Sequence, residues 1–191
     1  MEKSKWGVSS DEARELMERH LEAENMRSHS IATQAIMTAL APRFAEDPEL
    51  WGIIGLLHDL DYDATRETMQ RHTLVTEEIL RERGLSPEVY VPIKYHNAEN
   101  LGLTREKPVH FALTAAETIT GMIVAAALVN PDKKIASVKP KSVIKRMKAK
   151  EFARSVNRDH IRLCEKIDIP LEEFVVISLE AMGRVSDRLG L

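Results

Sequence analysis

Apolar residues recur at helical spacing along almost the whole chain. From Ser28 to Ala41 they fall at Ile31, Ala32, Ala35, Ile36, Ala39 and Leu40, and Pro42 follows, which predicts one helix. An earlier helix is predicted to begin at Ser9, whose hydroxyl can cap it while Glu12 reaches back, and to run toward Leu21. Asp47-Pro48 opens a third, in which Leu50-Trp51-Gly52-Ile53-Ile54-Gly55-Leu56-Leu57 is apolar nearly all round and therefore belongs in the core. Further helices are predicted over Met69 to Arg83, stopped by Gly84, over Pro87 to His96, and over Pro108 to Val129, stopped by Asn130-Pro131. Two more are expected between Val138 and Ile167, and a last one from Pro170 to Arg188. No stretch alternates with a period of two for long enough to argue a strand, and there is no internal repeat. The expectation is an all-α, single-domain helical bundle over 1–191, with a core over about 27–130 and a helical extension over about 131–191.

Composition changes this picture little. With 43% hydrophobic and 30% charged residues the proportions are globular, and eight Gly, eight Pro and 5% aromatics disfavour a sheet built on turns and aromatic pairs. A single cysteine, Cys164, has no internal partner, and Met1 to Trp6 lead into charged residues rather than an apolar signal core, so a cytoplasmic protein is expected. The longest wholly apolar run, Met122 to Val129, is far short of the ~20 residues of a membrane span, so no membrane partner is expected. The net charge of −3 gives no global reason to bind nucleic acid. The charge is uneven, however: Pro131 to Arg162 holds eleven Lys or Arg against three acids, +8 against −11 for the remainder.

The chemistry concentrates in a few positions. His58-Asp59 ends the most apolar helix, where an imidazole and a carboxylate are costly unless paired or ligated. His29 shares a stripe with Ala32, Ile36 and Ala39, His96 follows Val89 and Ile93, and His72 lies on the face of Val75 and Ile79. Glu117 sits among Leu113, Ala115, Ala116, Ile119 and Val124, where a lone carboxylate would rather be neutral. One shared cation explains six inward polar groups more economically than six separately satisfied core residues. Nitrogen and oxygen donors with no thiolate indicate Mn, Fe, Zn, Ni or Mg, as one ion or two. The plainer alternative is a hydrogen-bonded core cluster, and His20, His110 and His160 are read as cap, surface or packing residues.

At these residues the sequence resembles the HD-domain superfamily of metal-dependent phosphohydrolases, marked by a lone His, an adjacent His-Asp and a distant Asp, and within it the small HD hydrolases. The order His29, His58-Asp59, Glu117 follows that mark, and the likeness extends through Gly55 to Tyr62, Glu117 to Gly121, Lys141-Ser142 and Phe152 to Arg158. The resemblance implies an HD-type helical bundle and metal held by His29, His58, Asp59 and Glu117, with His72 and His96 where some members hold a second ion. It implies a hydrolase acting on a phosphomonoester or phosphodiester, a nucleotide before others. Glu117 departs from the superfamily's Asp, and its extra methylene displaces the carboxylate by ~1.5 Å. Two alternatives follow: a di-iron oxygenase of the HD type, or a ligand-binding relative weakened at Glu117.

Asp59 and Asp61 are the carboxylates expected to do catalytic work. Asp61, like Asp63, would act as a general base or orient a ligand, or else merely form the helix exit. Arg66 and Lys141, Lys145 and Arg146 of the basic segment are the candidate phosphate holders, since cations near a metal ease the approach of an anion; a solvated face is the alternative.

Overall fold

The computed structural model describes residues 5–191, so Met1 to Ser4, with most of the stretch read for a leader, lie outside the described residues. The helices are α1 (Ser10–His20), α2 (Glu24–Leu40), α3 (Pro48–Leu57), α4 (Tyr62–Thr65), α5 (Leu74–Glu82), α6 (Pro87–Ile93), α7 (Ala98–Leu101), α8 (Pro108–Leu128), α9 (Pro140–Met147), α10 (Arg158–Ile161), α11 (Leu171–Gly183) and α12 (Ser186–Leu189). Short 3-10 turns stand between them, among them Lys94–Asn97. No strand occurs among the described residues, and the protein is all-α.

The local signals act as expected at most ends. Ser9 and Glu12 form a reciprocal capping box on α1, and the Asp47 carboxylate accepts from the Glu49 N–H ahead of α3. Every residue of α3 from Leu50 to Leu57 is buried. α8 is, among the described residues, the one helix long and apolar enough to cross a membrane, but 61% of its apolar window is buried within the protein, the mark of a core helix. The closing stretch is not one helix, since α11 ends at Gly183 and a turn separates it from α12.

The helix predicted from Met69 begins at Leu74 instead. Asp61 causes the difference. Its Oδ2 accepts from the backbone N–H groups of Thr73 and Thr76 at 2.8 and 3.0 Å, capping α5 from twelve residues away in sequence, and Thr73 adopts φ 75° to reach it. His72 is therefore held in a tight turn rather than on a helical face with Val75 and Ile79. The Asn97 side chain ties that turn to the 94–97 segment, donating to the carbonyls of Met69 and His72 at 2.7 and 3.0 Å.

α2 and α3 form the most extensive helix pair, and two glycines set their separation. A Cβ on Gly55 would stand 2.9 Å from the Thr33 carbonyl oxygen and 3.1 Å from the Gln34 Cα, and one on Gly52 would stand 2.5 Å from the Thr38 hydroxyl. Backbone meets backbone at Gly55, so no side chain can swing aside to make room. Gly55→Ala should lower stability by about 1–3 kcal/mol, or roughly 3–10 °C in melting temperature for a chain of this size. Gly183→Ala, at a helical position with nothing within 4 Å, should be neutral or slightly stabilising. Thermal melts of the two variants check both outcomes.

Candidate metal centre

The α2–α3 contact carries His29 toward the end of α3, where His58 and Asp59 leave the helix. The two imidazoles meet with His29 Nε2 and His58 Nε2 3.2 Å apart. The turn before α5 and the 94–97 segment deliver the second pair, with His72 Nε2 and His96 Nε2 3.1 Å apart. Asp59 lies between the pairs and is 6% exposed. Its Oδ2 is 3.3 Å from His58 Nε2 and 3.6 Å from His29 Nε2, and its Oδ1 is 3.2 Å from His72 Nε2 and 3.3 Å from His96 Nε2. Five donors thus form two triads that share one carboxylate.

The outward nitrogens fix how the rings present themselves. His58 Nδ1 lies 2.9 Å from the Gly55 carbonyl and His96 Nδ1 2.7 Å from the Ile93 carbonyl, and both must donate, because a carbonyl can only accept. His72 Nδ1 donates to Asp61 Oδ1 at 2.8 Å. His29 Nδ1 is 2.8 Å from the Thr120 hydroxyl, whose own proton goes to the Glu117 carbonyl at 2.7 Å, so His29 also donates from Nδ1. All four Nε2 atoms then face inward as lone-pair donors, the arrangement that metal-ligating histidines adopt.

Lone pairs 3.1–3.2 Å apart repel unless a cation stands between them. Without metal a proton serves, and the histidines divide accordingly. Burial, with the neighbouring His58, pushes His29 down to about 4, and burial pushes His96 down to about 4. Burial opposes charge on His58 and His72 as well, but Asp59 raises the first, and Asp59 with Asp61 raises the second to about 9. Burial also opposes the Asp59 charge, yet His58, His72 and His96 hold its carboxyl well below the usual range. In each pair one ring is thus driven toward the neutral form and the other toward the protonated form. Two donors of a single divalent ion, each ~2.0–2.1 Å from it, stand about 2.9–3.4 Å apart, a range that holds every donor separation within the triads except His29 Nε2 to Asp59 Oδ2, at 3.6 Å.

Glu117, expected among the ligands, is not brought into either triad. Its carboxylate accepts from the neighbouring Thr118 hydroxyl and forms part of a cavity wall, and burial pushes its carboxyl up to about 7. Asp61, expected as a base, has both oxygens committed to His72 and to the N-terminus of α5, which makes it an orienting group. Asp63 accepts from the Glu22 N–H at 2.9 Å, at the joint between α1 and α2.

The cavity has a volume of about 700 Å³ and opens beside His29 and Asp59, with Glu24, Met26, Tyr62, Glu117, Val124 and Ser155 in its wall. A second cavity, of about 590 Å³, lies between α2 and α11 with none of the four histidines in its wall. The expected phosphate holders are not in the wall of the first. α9 buries Val143 and Met147, which turns Lys141 and Lys145 out to solvent, while Arg146 bonds to Ser142 and packs over the Phe152 ring at 5.0 Å. Arg66 is exposed beside Glu67.

Sequence reading missed Arg105. Its buried guanidinium donates twice to Glu99, at 2.7 and 3.0 Å, and also to the Thr114 hydroxyl and the His96 carbonyl, bracing the segment that carries His96. No local pattern marks it, because its partners come from three different elements. Thr120 was also missed, although it stands one turn beyond Glu117. His110, stacked on Tyr95 at 3.6 Å, and His160, 3.4 Å from Glu99, stand outside the centre.

Comparisons with the curated proteins and with the solved structures returned no significant match. The HD domain family model matches residues 26–127, more than half the chain, and that stretch holds all five converging donors together with Asp61, Thr120 and Glu117. The chain therefore belongs to the HD-domain family, whose members are in general metal-dependent hydrolases.

Proposed function

We propose that the protein is a metal-dependent phosphohydrolase in which His29, His58 and Asp59 would hold one divalent ion and His72, His96 and the same Asp59 would hold a second. The observation that carries the reading is the sharing of one buried carboxylate by two histidine pairs whose outward nitrogens are all engaged. When bound, such ions supply Lewis acidity toward a phosphoryl oxygen and a hydroxide nucleophile at neutral pH. The chain's own part is positional. Asp61, Thr120 and the carbonyls of Gly55 and Ile93 hold the four rings in one tautomer. Glu117, on the cavity wall with its carboxyl pushed up to about 7, is suited to hand a proton to a leaving alcohol. A phosphate ester entering the cavity would meet a wall that includes His29, Asp59 and Glu117.

The same four-histidine set supports a second reading, a di-iron oxygenase, because His72 and His96 complete a second triad. Turnover of a phosphate ester under anaerobic conditions would remove it.

Protein purified without chelators should contain about two equivalents of Mn, Fe or another divalent metal. Elemental analysis should give about one equivalent for His72→Ala or His96→Ala and close to none for Asp59→Ala, because only Asp59 serves both triads. Less than about a tenth of an equivalent, with no uptake from added Mn or Fe, overturns the reading.

With Mn supplied, p-nitrophenyl phosphate should be hydrolysed, and Asp59→Asn should lower the rate at least ~100-fold. Glu117→Gln should lower it by roughly 10²–10⁴-fold while leaving metal content unchanged. If Glu117→Gln instead loses metal, that residue is a ligand after all. If it changes neither quantity, the proton-donor role fails.

A further inference from the structure

We propose that this cavity selects substrates carrying a single phosphoryl group on an uncharged organic part and discriminates against chains of two or three phosphates. The inference rests on the phosphohydrolase reading of the same site and concerns the wall rather than the histidine cluster.

Apart from His29, the acidic and basic side chains on the wall are all acids: the exposed Glu24, Asp59 and Glu117. Among the described residues no lysine or arginine lines it. Arg188, beside the wall residue Leu189, is exposed near Arg14 and Glu18 of α1, and other arginines close to the wall residues or to the centre are bound elsewhere. Arg27, between Met26 and Ser28, donates to the carbonyls of Leu21 and Glu18 at 2.6 and 2.9 Å. Arg158 spends its guanidinium on the carbonyls of Ala149, Phe152, Ala153 and Val156, stapling the loop that presents Ser155. Arg154 is exposed and pairs with Glu151, and Arg105 is bound to Glu99.

Sites for nucleoside polyphosphates surround the phosphates with arginine, lysine or backbone N–H groups, because each added phosphate brings charge that must be met. Here the ions proposed for the two triads would meet one phosphoryl group, and nothing cationic on the wall waits for a second. A longer chain would run its charge past Glu24. The remaining wall suits a neutral organic group, with Met26, Ala32, Val124 and Leu189 as apolar surface and Asn25, Ser28 and Ser155 as uncharged polar contacts. Glu24 can accept from a hydroxyl or amino group on it. The volume, about 700 Å³, is that of an ordinary small-molecule site.

The test compares AMP, ADP, ATP and glycerol phosphate as substrates of the Mn-loaded protein, with free Mn held constant. kcat/KM should fall about tenfold or more with each phosphate added to AMP, and glycerol phosphate should be turned over. Glu24→Gln should narrow the AMP-to-ATP ratio by roughly threefold or more, and Glu49→Gln, on the exposed face of α3, should leave it unchanged. ATP turned over as readily as AMP, or a ratio indifferent to Glu24→Gln, overturns the inference while leaving the phosphohydrolase reading intact. If no phosphate ester is turned over, p-nitrophenyl phosphate included, the phosphohydrolase reading fails and this inference falls with it.

Discussion

Removing the Asp59 carboxylate from water at the end of an apolar helix costs several kcal/mol unless opposite charge or hydrogen-bond donors surround it, and the rest of the centre answers that demand. Two histidine pairs supply the answer, one on each oxygen. In each pair one ring is held toward the protonated form, His58 by Asp59 and His72 by Asp59 and Asp61, which offsets the charge of these carboxylates. The hydrogen bonds of the outward nitrogens hold the four rings in place.

Four separate devices bring the histidines to one carboxylate. Glycine at position 55 lets α2 approach closely enough for His29 to reach His58, and the same residue's carbonyl orients the His58 ring. Asp61 caps α5 with one oxygen and orients His72 with the other, so that the start of a helix and the aim of a ligand are one interaction. Arg105 and Asn97 fix the 94–97 segment that presents His96. Thr120 links His29 to α8 and thereby to the segment bearing Glu117. Asp61, Asn97 and Arg105 act through side-chain to backbone hydrogen bonds, and Asp61 and Thr120 also reach His72 and His29 side chain to side chain.

The stretch following the matched family region takes part in the site through its loops rather than through its charge. Ser155, Leu189 and Leu191 enter the cavity wall, whereas the lysines of α9 face solvent. α9 is amphipathic, and burying Val143 and Met147 against α8 and α11 leaves its lysines only the outer face. The uneven charge along the chain is thus a property of the surface, and the cavity beside Asp59 is bounded by acids and neutral groups.

Periodicity and capping residues by themselves determined the all-α class, most helix positions and the nomination of His29, His58, Asp59 and His96, because burial of polar groups on apolar faces is written in local order, whereas His72 was nominated from a helical face that the structure replaces with a turn. The sequence also singled out Glu117 and Asp61, but only tertiary structure decided their parts. Asp61 acts on groups eleven to fifteen residues away through a turn that overrides the helical pattern at Met69, and Glu117 bonds to its neighbour Thr118 instead of joining a triad. Arg105, Asn97 and Gly55 contribute through partners distant in sequence, and the orientation of α9 depended on which face its neighbours could bury. Spacing along the chain reports which side of a helix a residue occupies; the distance between residues on different helices is set by packing, and the centre and its cavity are made of those distances.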